Sequence, residues 1–189
     1  MRCALYFGSF NPLHKGHVAI ARYVMENCDV DSVRLVLSPQ SPFKDSTILQ
    51  DPDLRLQELR KSVAKFNGEY AAEGVKTPNK TLEISTVEFS LPRPNYTYNT
   101  LQYLKILEPY TTFLLVMGAD NLAVIEKWYK GTEILQEFEV LVYPRSGFDT
   151  QALCKKYGAT YLDAPLNDIS STMIREGEKR GQDMSSLRY

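Results

Sequence analysis

Short apolar runs alternate with longer segments of helical periodicity along all 189 residues, and this alternation limits the chain to few folds. The apolar runs are too short to be helices, and polar turn formers bound most of them. Strands that alternate with helices within one domain form a parallel sheet that helices cover on both faces. We therefore predict an α/β fold with a doubly wound, mainly parallel sheet, in one domain over residues 1–189.

The polar turns after the predicted strands are the places to look for a ligand site. The predicted strands are residues 2–7, 33–37, 82–90, 112–117, 139–143 and 159–162. The predicted helices are residues 16–28, 52–66, 99–107 and 171–179, with a loop at 39–51. Ligands of such sheets bind beyond the carboxyl ends of the strands, where the strand order reverses. This rule directs attention to residues 8–17, 39–44 and 118–121.

Composition excludes several classes of partner. The formal net charge of −1 gives no basic field, so we expect neither nucleic-acid nor membrane binding. Cys3, Cys28 and Cys154 are odd in number and widely spaced, which fits a reducing compartment better than a disulfide framework. The N-terminal segment lacks the pattern of a signal peptide. These features predict a cytoplasmic protein.

Both histidines of the chain lie directly after the first predicted strand, in the segment GSFNPLHKGH. A turn from strand to helix exposes backbone N–H groups and the positive end of a helix, which favour phosphate. Gly8 and Gly16 permit close approach of a ligand to the backbone, and His14 and His17 can donate hydrogen bonds to phosphate oxygens. The alternative is a surface helix that begins with two incidental histidines. A zinc site is disfavoured, because the chain has no other histidine and its cysteines are isolated.

A second anion-binding turn is predicted at residues 169–175, ISSTMIR. Ser170, Ser171 and Thr172 are good N-cap residues before a helical run, and Arg175 follows within the first turn. The alternative is an ordinary capped helix whose arginine is solvated. Two such turns in one small domain together indicate a ligand with several phosphates.

The segment Gly118-Ala-Asp-Asn follows the most apolar strand. Gly118 would let a nucleotide lie against the backbone, and Asp120 could accept a hydrogen bond from a ribose hydroxyl or lie near a metal ion. The alternative is a turn at the end of the strand in which Asp120 caps the next helix.

Other candidate residues carry weaker signals. Lys44 and Arg145 lie on loops after strands and could reach phosphates, although such residues are commonly solvated. Trp128 and the adjacent Tyr129 could stack on an aromatic ring, although core packing is the usual role of a tryptophan.

The two anion-binding segments together resemble the HxGH-type nucleotidyltransferase superfamily, which carries a GxFxPxHxGH signature and a distal ISSTxIR motif. The segments between them narrow the resemblance further: YTYNTL at 96–101 is similar to a (S/N)YTxxTL segment, and MGADN and Lys127-Trp128 follow it. These features resemble the bacterial nicotinate-nucleotide adenylyltransferases. The resemblance implies a Rossmann-like fold and the transfer of the adenylyl group of ATP to nicotinate mononucleotide, with release of pyrophosphate.

The resemblance also implies roles for individual residues. It assigns ATP binding to Gly8, Ser9, Phe10, His14, His17, Gly118, Asp120, Ile169, Ser170, Ser171, Thr172 and Arg175, of which His14, His17 and Arg175 are catalytic. It assigns binding of the mononucleotide to Lys44, Thr97, Asn121, Trp128, Tyr129 and Arg145. The chain departs from the pattern at Ser9 and Asn11, where many members have Gly or Thr and Asp, and at Phe43, where a histidine is frequent.

The implied reaction is in-line attack by a phosphate oxygen of the mononucleotide, without a covalent enzyme intermediate. Mg²⁺ is expected to accompany ATP through its phosphates and water, so no protein metal site is predicted. Three alternatives stay open at this point: phosphopantetheine as acceptor, nicotinamide mononucleotide as acceptor, and a non-catalytic nucleotide sensor on the same fold. The sequence also leaves open whether the chain forms a homo-oligomer.

Overall fold

The computed structural model describes residues 1–39, 51–73 and 80–189, and these residues form a six-stranded sheet flanked by helices. The strands are β1 (Arg2–Gly8), β2 (Ser32–Leu37), β3 (Thr81–Ser85), β4 (Thr112–Gly118), β5 (Glu139–Tyr143) and β6 (Thr160–Tyr161). The helices are α1 (Lys15–Asn27), α2 (Pro52–Ala72), α3 (Thr97–Leu107), α4 (Ala119–Leu122), α5 (Gly131–Glu137), α6 (Thr150–Tyr157) and α7 (Ser171–Lys179). Single turns of 3₁₀ helix lie at Val87–Phe89, Ile125–Lys127 and Ser185–Leu187.

The strand order is β3-β2-β1-β4-β5-β6, and every pairing is parallel. Tyr6 of β1 lies opposite Val116 of β4, and Gly8 lies opposite Leu37 of β2. The chain winds outward from β1 to β3, returns to the centre at β4 and winds outward again. This is the order of a Rossmann fold, and it places a crevice between the carboxyl ends of β1 and β4. The predicted doubly wound α/β fold is confirmed.

Burial on both faces explains why the central strands are continuous apolar runs. In β1, Ala4 and Tyr6 pack with side chains of α1 and α2, whereas Cys3 and Leu5 pack on the other face with side chains of α3, α4 and α5. The periodic apolar positions of α1, such as Val24, are buried in the first of these two cores. Each face of the sheet is therefore closed by helices, and only the ends of the strands reach solvent-filled space.

The structure differs from the sequence predictions in the length of one strand, in the bounds of two helices and in three helices that were not predicted. The predicted strand 82–90 ends at Ser85, and a 3₁₀ turn follows. The apolar residues fall on even positions at Leu82 and Ile84 and on odd positions at Val87 and Phe89. This change in the alternation marks the end of the strand. The helices α4, α5 and α6 were not predicted, because they are 4, 7 and 8 residues long and too short to show a helical period. Two predicted helices are also longer in the structure, since α2 continues beyond residue 66 to Ala72 and α3 begins at Thr97, before residue 99. Within the described residues, no helix has the length and apolar character that crossing a membrane requires.

Gly131, the first residue of α5, occupies a position that has no room for a side chain. A Cβ at Gly131 would lie 1.9 Å from the carbonyl oxygen of Ile125, which is backbone and cannot turn away. We predict that Gly131→Ala lowers the free energy of unfolding by about 1–3 kcal/mol, as overpacking does. The matched control is Gly68→Ala in the middle of α2, where a Cβ meets nothing within 4 Å and should stabilise by about 0.5–1 kcal/mol. Urea unfolding measures both variants, and a Gly131→Ala protein as stable as the wild type would contradict the packing described here.

Candidate functional site

Two adjoining cavities occupy the crevice at the carboxyl ends of β1 and β4. One, of about 320 Å³, has both histidines in its wall, and we call it the histidine cavity. The other, of about 290 Å³, has Trp128 in its wall, and we call it the tryptophan cavity. The residues that line both cavities are Tyr6, Phe7, Gly8, Ser9, Asn121 and Tyr143. The site is therefore one cleft with two compartments that meet at the end of β1.

The histidine cavity brings together most of the residues predicted to bind ATP. Those in its wall are Gly8, Ser9, Phe10, His14, His17, Asp120, Ile169, Ser170, Ser171 and Thr172. Gly118 and Arg175 lie outside the lining. Gly118 is the N-cap of α4, so the alternative in which Asp120 caps that helix is wrong. A Cβ at Gly118 would lie 2.3 Å from Oδ1 of Asp120, so the glycine leaves room for that carboxylate.

The turn after β1 is held by donors from distant parts of the chain. Phe10 has a φ of 41°, in the left-handed region that bulky residues avoid. The carbonyl groups on its two sides each accept from an arginine: Nη1 of Arg55 lies 2.9 Å from the oxygen of Ser9, and Nη1 of Arg175 lies 2.6 Å from the oxygen of Asn11. The hydroxyl of Ser171 donates to the oxygen of Pro12 at 3.0 Å. Side chains of α2 and α7 therefore fix the turn in its strained form.

The two histidines interact with each other and with the start of α1. His14 is the N-cap, and its Nδ1 accepts from the backbone N–H of His17 at 3.4 Å, while Nδ1 of His17 accepts from the backbone N–H of His14 at 3.3 Å. The rings stack with centroids 3.6 Å apart. Because Nδ1 is an acceptor in both rings, a neutral ring carries its proton on Nε2. A neutral ring of the pair therefore has its hydrogen-bond donor on Nε2 and not on the atom used in capping.

His14 is buried, and its environment opposes protonation. Burial, with a smaller contribution from the positive charge of Arg145, lowers the pKa of His14 from 6.5 to about 4. At neutral pH the ring is therefore uncharged and keeps the tautomer that the capping contacts select. A neutral donor can stabilise a phosphate oxygen as negative charge grows on it.

The segment ISSTMIR begins α7 as predicted, but its arginine is not simply solvated. Ser170 is the N-cap and accepts from the N–H of Met173 at 3.1 Å. Besides its contact with Asn11, the guanidinium of Arg175 donates through Nη2 to Oγ1 of Thr172 at 3.1 Å. Arg175 thus joins the second anion-binding turn to the first, which sequence alone did not reveal.

The tryptophan cavity brings together four of the residues predicted to bind the mononucleotide: Thr97, Asn121, Trp128 and Tyr129. Trp128 is half-buried and packs against the core, which is the usual role of a tryptophan, and its stacking on a ligand ring stays a prediction. Thr97 is the first residue of α3, and Tyr96 at the N-cap makes no side-chain hydrogen bond. The first N–H groups of α3 therefore lie at this cavity without a side-chain cap, and such a helix end favours an anion.

Of the other two residues predicted to bind the mononucleotide, one lines the histidine cavity and one lies outside the described residues. Arg145 lines the histidine cavity, where Nε lies 3.6 Å from Oδ1 of Asp120 and Nη1 donates to the carbonyl oxygen of Asn167 at 3.3 Å. Lys44 lies outside the described residues. For these reasons the structure supports an interaction of Arg145 with the same ligand as His14, and it does not test Lys44.

Sequence reasoning missed two buried ionisable residues at the site. Arg55 is fully buried and also donates to the carbonyl oxygens of Ser38 at 2.9 Å and Pro39 at 2.7 Å, so it connects the turns after β1 and β2. Glu88 lines the tryptophan cavity and accepts from the hydroxyl of Thr100 at 2.9 Å. Burial raises the pKa of Glu88 despite that hydrogen bond. Neither residue lies in a recognisable motif, because what distinguishes them is their burial.

Comparisons with known proteins agree with this geometry. The cytidylyltransferase-like family matches residues 5–177. A protein of Flavobacterium psychrophilum named "Probable nicotinate-nucleotide adenylyltransferase" is 37% identical over 189 residues, which cover 99% of this chain and 91% of that protein. A protein of Bacteroides fragilis with the same name is 37% identical over 183 residues, 97% of this chain and 85% of its own length. The solved structure of Plasmodium falciparum nicotinic acid mononucleotide adenylyltransferase complexed with NaAD superposes with a TM-score of 0.76 at 19% identity, covering 97% of this chain and 87% of that one.

The lowered pKa of His14 predicts how stability depends on pH. Folding favours the neutral ring, so the contribution of His14 to stability is complete above pH 6.5 and is lost as the pH falls toward 4. The loss amounts to about 3 kcal/mol by pH 4. His14→Asn keeps a short N-cap side chain but cannot titrate, so its free energy of unfolding should fall less over the same range. Chemical denaturation of both proteins between pH 7 and 4 measures this, and parallel curves would show that His14 is not the titrating group.

Proposed function

The chain belongs to the cytidylyltransferase-like family, and on that basis we propose that it is a nicotinate-nucleotide adenylyltransferase. It transfers the adenylyl group of ATP to nicotinate mononucleotide, and the products are nicotinate adenine dinucleotide and pyrophosphate. The observation that carries this proposal is the cleft itself, because one compartment has phosphate-binding turns and the other has an aromatic wall beside a helix N-terminus. Two substrates bound side by side in such a cleft would meet at the end of β1. The three free cysteines support a cytoplasmic location.

We assign the phosphates of ATP to the histidine cavity. The uncharged ring of His14, the ring of His17, and the N-terminus of α7 with Ser170, Ser171 and Thr172 offer hydrogen-bond donors to phosphate oxygens. Gly118 ends the central strand β4 and Asp120 follows it, and we assign the adenosine of ATP to these residues. These groups bind and orient; none is required to act as a nucleophile.

We assign the mononucleotide to the tryptophan cavity. The nicotinate ring stacks on Trp128 and Tyr129, and its carboxylate accepts from Thr97 and from the uncapped N–H groups of α3. Its phosphate then extends toward Asn121 and the end of β1. An oxygen of that phosphate attacks the α-phosphorus of ATP, the bond from this phosphorus to the bridging oxygen breaks, and pyrophosphate departs with the electron pair. Positioning and charge stabilisation supply the catalysis.

Mg²⁺ fits this site as a partner of the ATP phosphates. Within residues 1–39, 51–73 and 80–189, no three His, Cys, Asp or Glu side chains form a group that could hold a metal ion. A magnesium ion with mostly phosphate and water ligands needs no such group, and Asp120, a carboxylate in the wall of the histidine cavity, would be the residue to hold its water ligands. When bound, the ion neutralises charge on the phosphates.

The choice of acceptor tests the proposal directly. Pyrophosphate release from ATP is measured with nicotinate mononucleotide, nicotinamide mononucleotide and phosphopantetheine. We predict that the acid is preferred over the amide by about 10- to 100-fold in kcat/KM, because N–H and O–H donors pair with a carboxylate and leave the amide NH₂ unpaired. A preference for either of the other acceptors would refute the proposed substrate.

The same assay locates the source of the preference. Thr97→Val removes the hydroxyl at nearly constant volume and should narrow the difference between acid and amide. Thr111→Val is the matched control, since Thr111 lies between α3 and β4 and outside both cavities. If Thr97→Val preferred the acid over the amide as strongly as the wild type does, the Thr97 hydroxyl would not be a donor to the nicotinate carboxylate.

We expect both contacts of Arg175, with Asn11 and with Thr172, to contribute to activity with ATP. Arg175→Ala removes the donor to Asn11 and a cation beside the predicted phosphate site, so kcat/KM for ATP should fall by about 10²-fold. Arg175→Lys retains one donor but cannot reach Asn11 and Thr172 together, and it should recover only part of the activity. Arg180→Ala, an exposed position just beyond α7, is the control. If both Arg175 variants had the kcat and KM of the wild type, the distal motif would have no role in catalysis or ATP binding.

A further inference from the structure

Two tyrosines lie in the wall that the two cavities share. Tyr6 is near the end of β1 and Tyr143 is the last residue of β5, and both line both cavities. Their rings meet edge to face, with centroids 5.8 Å apart, and the hydroxyl of Tyr6 donates to the hydroxyl of Tyr143 at 3.2 Å. Neither residue belongs to a motif that the sequence analysis identified.

The direction of this hydrogen bond distinguishes the two hydroxyls. Tyr6 is buried, with 5% of its surface exposed, and its proton is directed to Tyr143. Tyr143 is half-buried, and its oxygen accepts the hydrogen bond from Tyr6. Its own O–H can therefore donate to a ligand. A buried phenol normally has a hydrogen-bond partner, and Tyr6 has one within the protein.

The surroundings keep both phenols protonated. Burial raises the pKa of Tyr143 and raises that of Tyr6 well above its usual value. The guanidinium of Arg145 lies 5.9 Å from the centre of the Tyr143 ring and adds positive charge on the side of the histidine cavity. Tyr6 also contacts the ring of His17 edge to face, with centroids 5.9 Å apart, so one tyrosine of the pair packs against a predicted catalytic histidine.

If ATP and the mononucleotide occupy the two cavities, the reacting phosphorus lies where the cavities meet. We propose that the hydroxyl of Tyr143 is a catalytic hydrogen-bond donor to the α-phosphate of ATP, and that Tyr6 is a positioning residue that holds this hydroxyl. The inference rests on the proposed function. No proton is transferred: the donor stabilises negative charge on a non-bridging oxygen while one P–O bond forms and another breaks.

The test compares Tyr143→Phe, Tyr6→Phe and the double variant with the wild type. We expect Tyr143→Phe to lower kcat by about 10- to 100-fold, while the Kd of an ATP analogue with a methylene bridge between its α- and β-phosphorus changes less than about twofold. Tyr6→Phe should lower kcat by only about threefold. The double variant should resemble Tyr143→Phe, because Tyr6 acts through the other hydroxyl.

Tyr157→Phe is the matched control. Its hydroxyl is also hydrogen-bonded, to Glu126 at 3.0 Å, but it lies on α6 and outside both cavities, so its kinetics should be those of the wild type. Melting temperatures of all variants separate loss of folding from loss of chemistry. A kcat within twofold of the wild type in Tyr143→Phe, or a loss of kcat that only follows a fall in melting temperature, would overturn the inference.

The wild-type measurement keeps the two proposals distinct. A wild type that uses another acceptor would refute the proposed substrate, and the tyrosine series is then measured with that acceptor. A wild type active on nicotinate mononucleotide with an equally active Tyr143→Phe would refute only the role of the tyrosines.

Discussion

The turn after β1 depends on hydrogen bonds from donors that are far away in sequence. Its backbone carbonyl groups accept from Arg55, Arg175, Ser171 and the backbone N–H of Tyr189, and Phe10 at its centre is held in the left-handed region. A strained turn persists only where its surroundings fix it. Because these carbonyls already have donors, the turn can present its other face to the histidine cavity. The predicted phosphate site is therefore a product of the whole domain and not of one local motif.

The same contacts couple the parts of the cleft. Arg55 binds carbonyls at the ends of β1 and β2, and Arg175 connects the first turn of α7 to the turn after β1. The stacked pair His14 and His17 then begins α1 with its own backbone contacts. Burial keeps His14 neutral, and Arg145 supplies the nearby positive charge. Neutral donors beside a fixed cation suit a ligand whose charge shifts during reaction, because neither group must move to respond.

The fold could be predicted because its signal is repeated along the chain. Each central strand, such as Thr112–Gly118, is an apolar run that only a doubly covered strand would have, and α7 begins and ends where its N-cap serine and its period predict. The short helices α4, α5 and α6 give no such signal, since a helix of about two turns or fewer cannot establish a period. The predicted strand 82–90 is too long because it runs across the change in alternation between Ile84 and Val87, where the strand gives way to a 3₁₀ turn.

At the site, the sequence by itself determined which chemical groups are available: two histidines after a first strand, three hydroxyls before a last helix, and a tryptophan after a glycine-containing turn. These are local patterns, because each depends on residues within about ten positions of one another. Only the tertiary structure decided which groups share a compartment. It brought Arg175 to Asn11, put Arg145 beside His14 and joined Tyr6 to Tyr143 at the boundary of two cavities. Such pairs are separated by more than a hundred residues, and their contact follows from strand order and helix packing, which no single segment encodes.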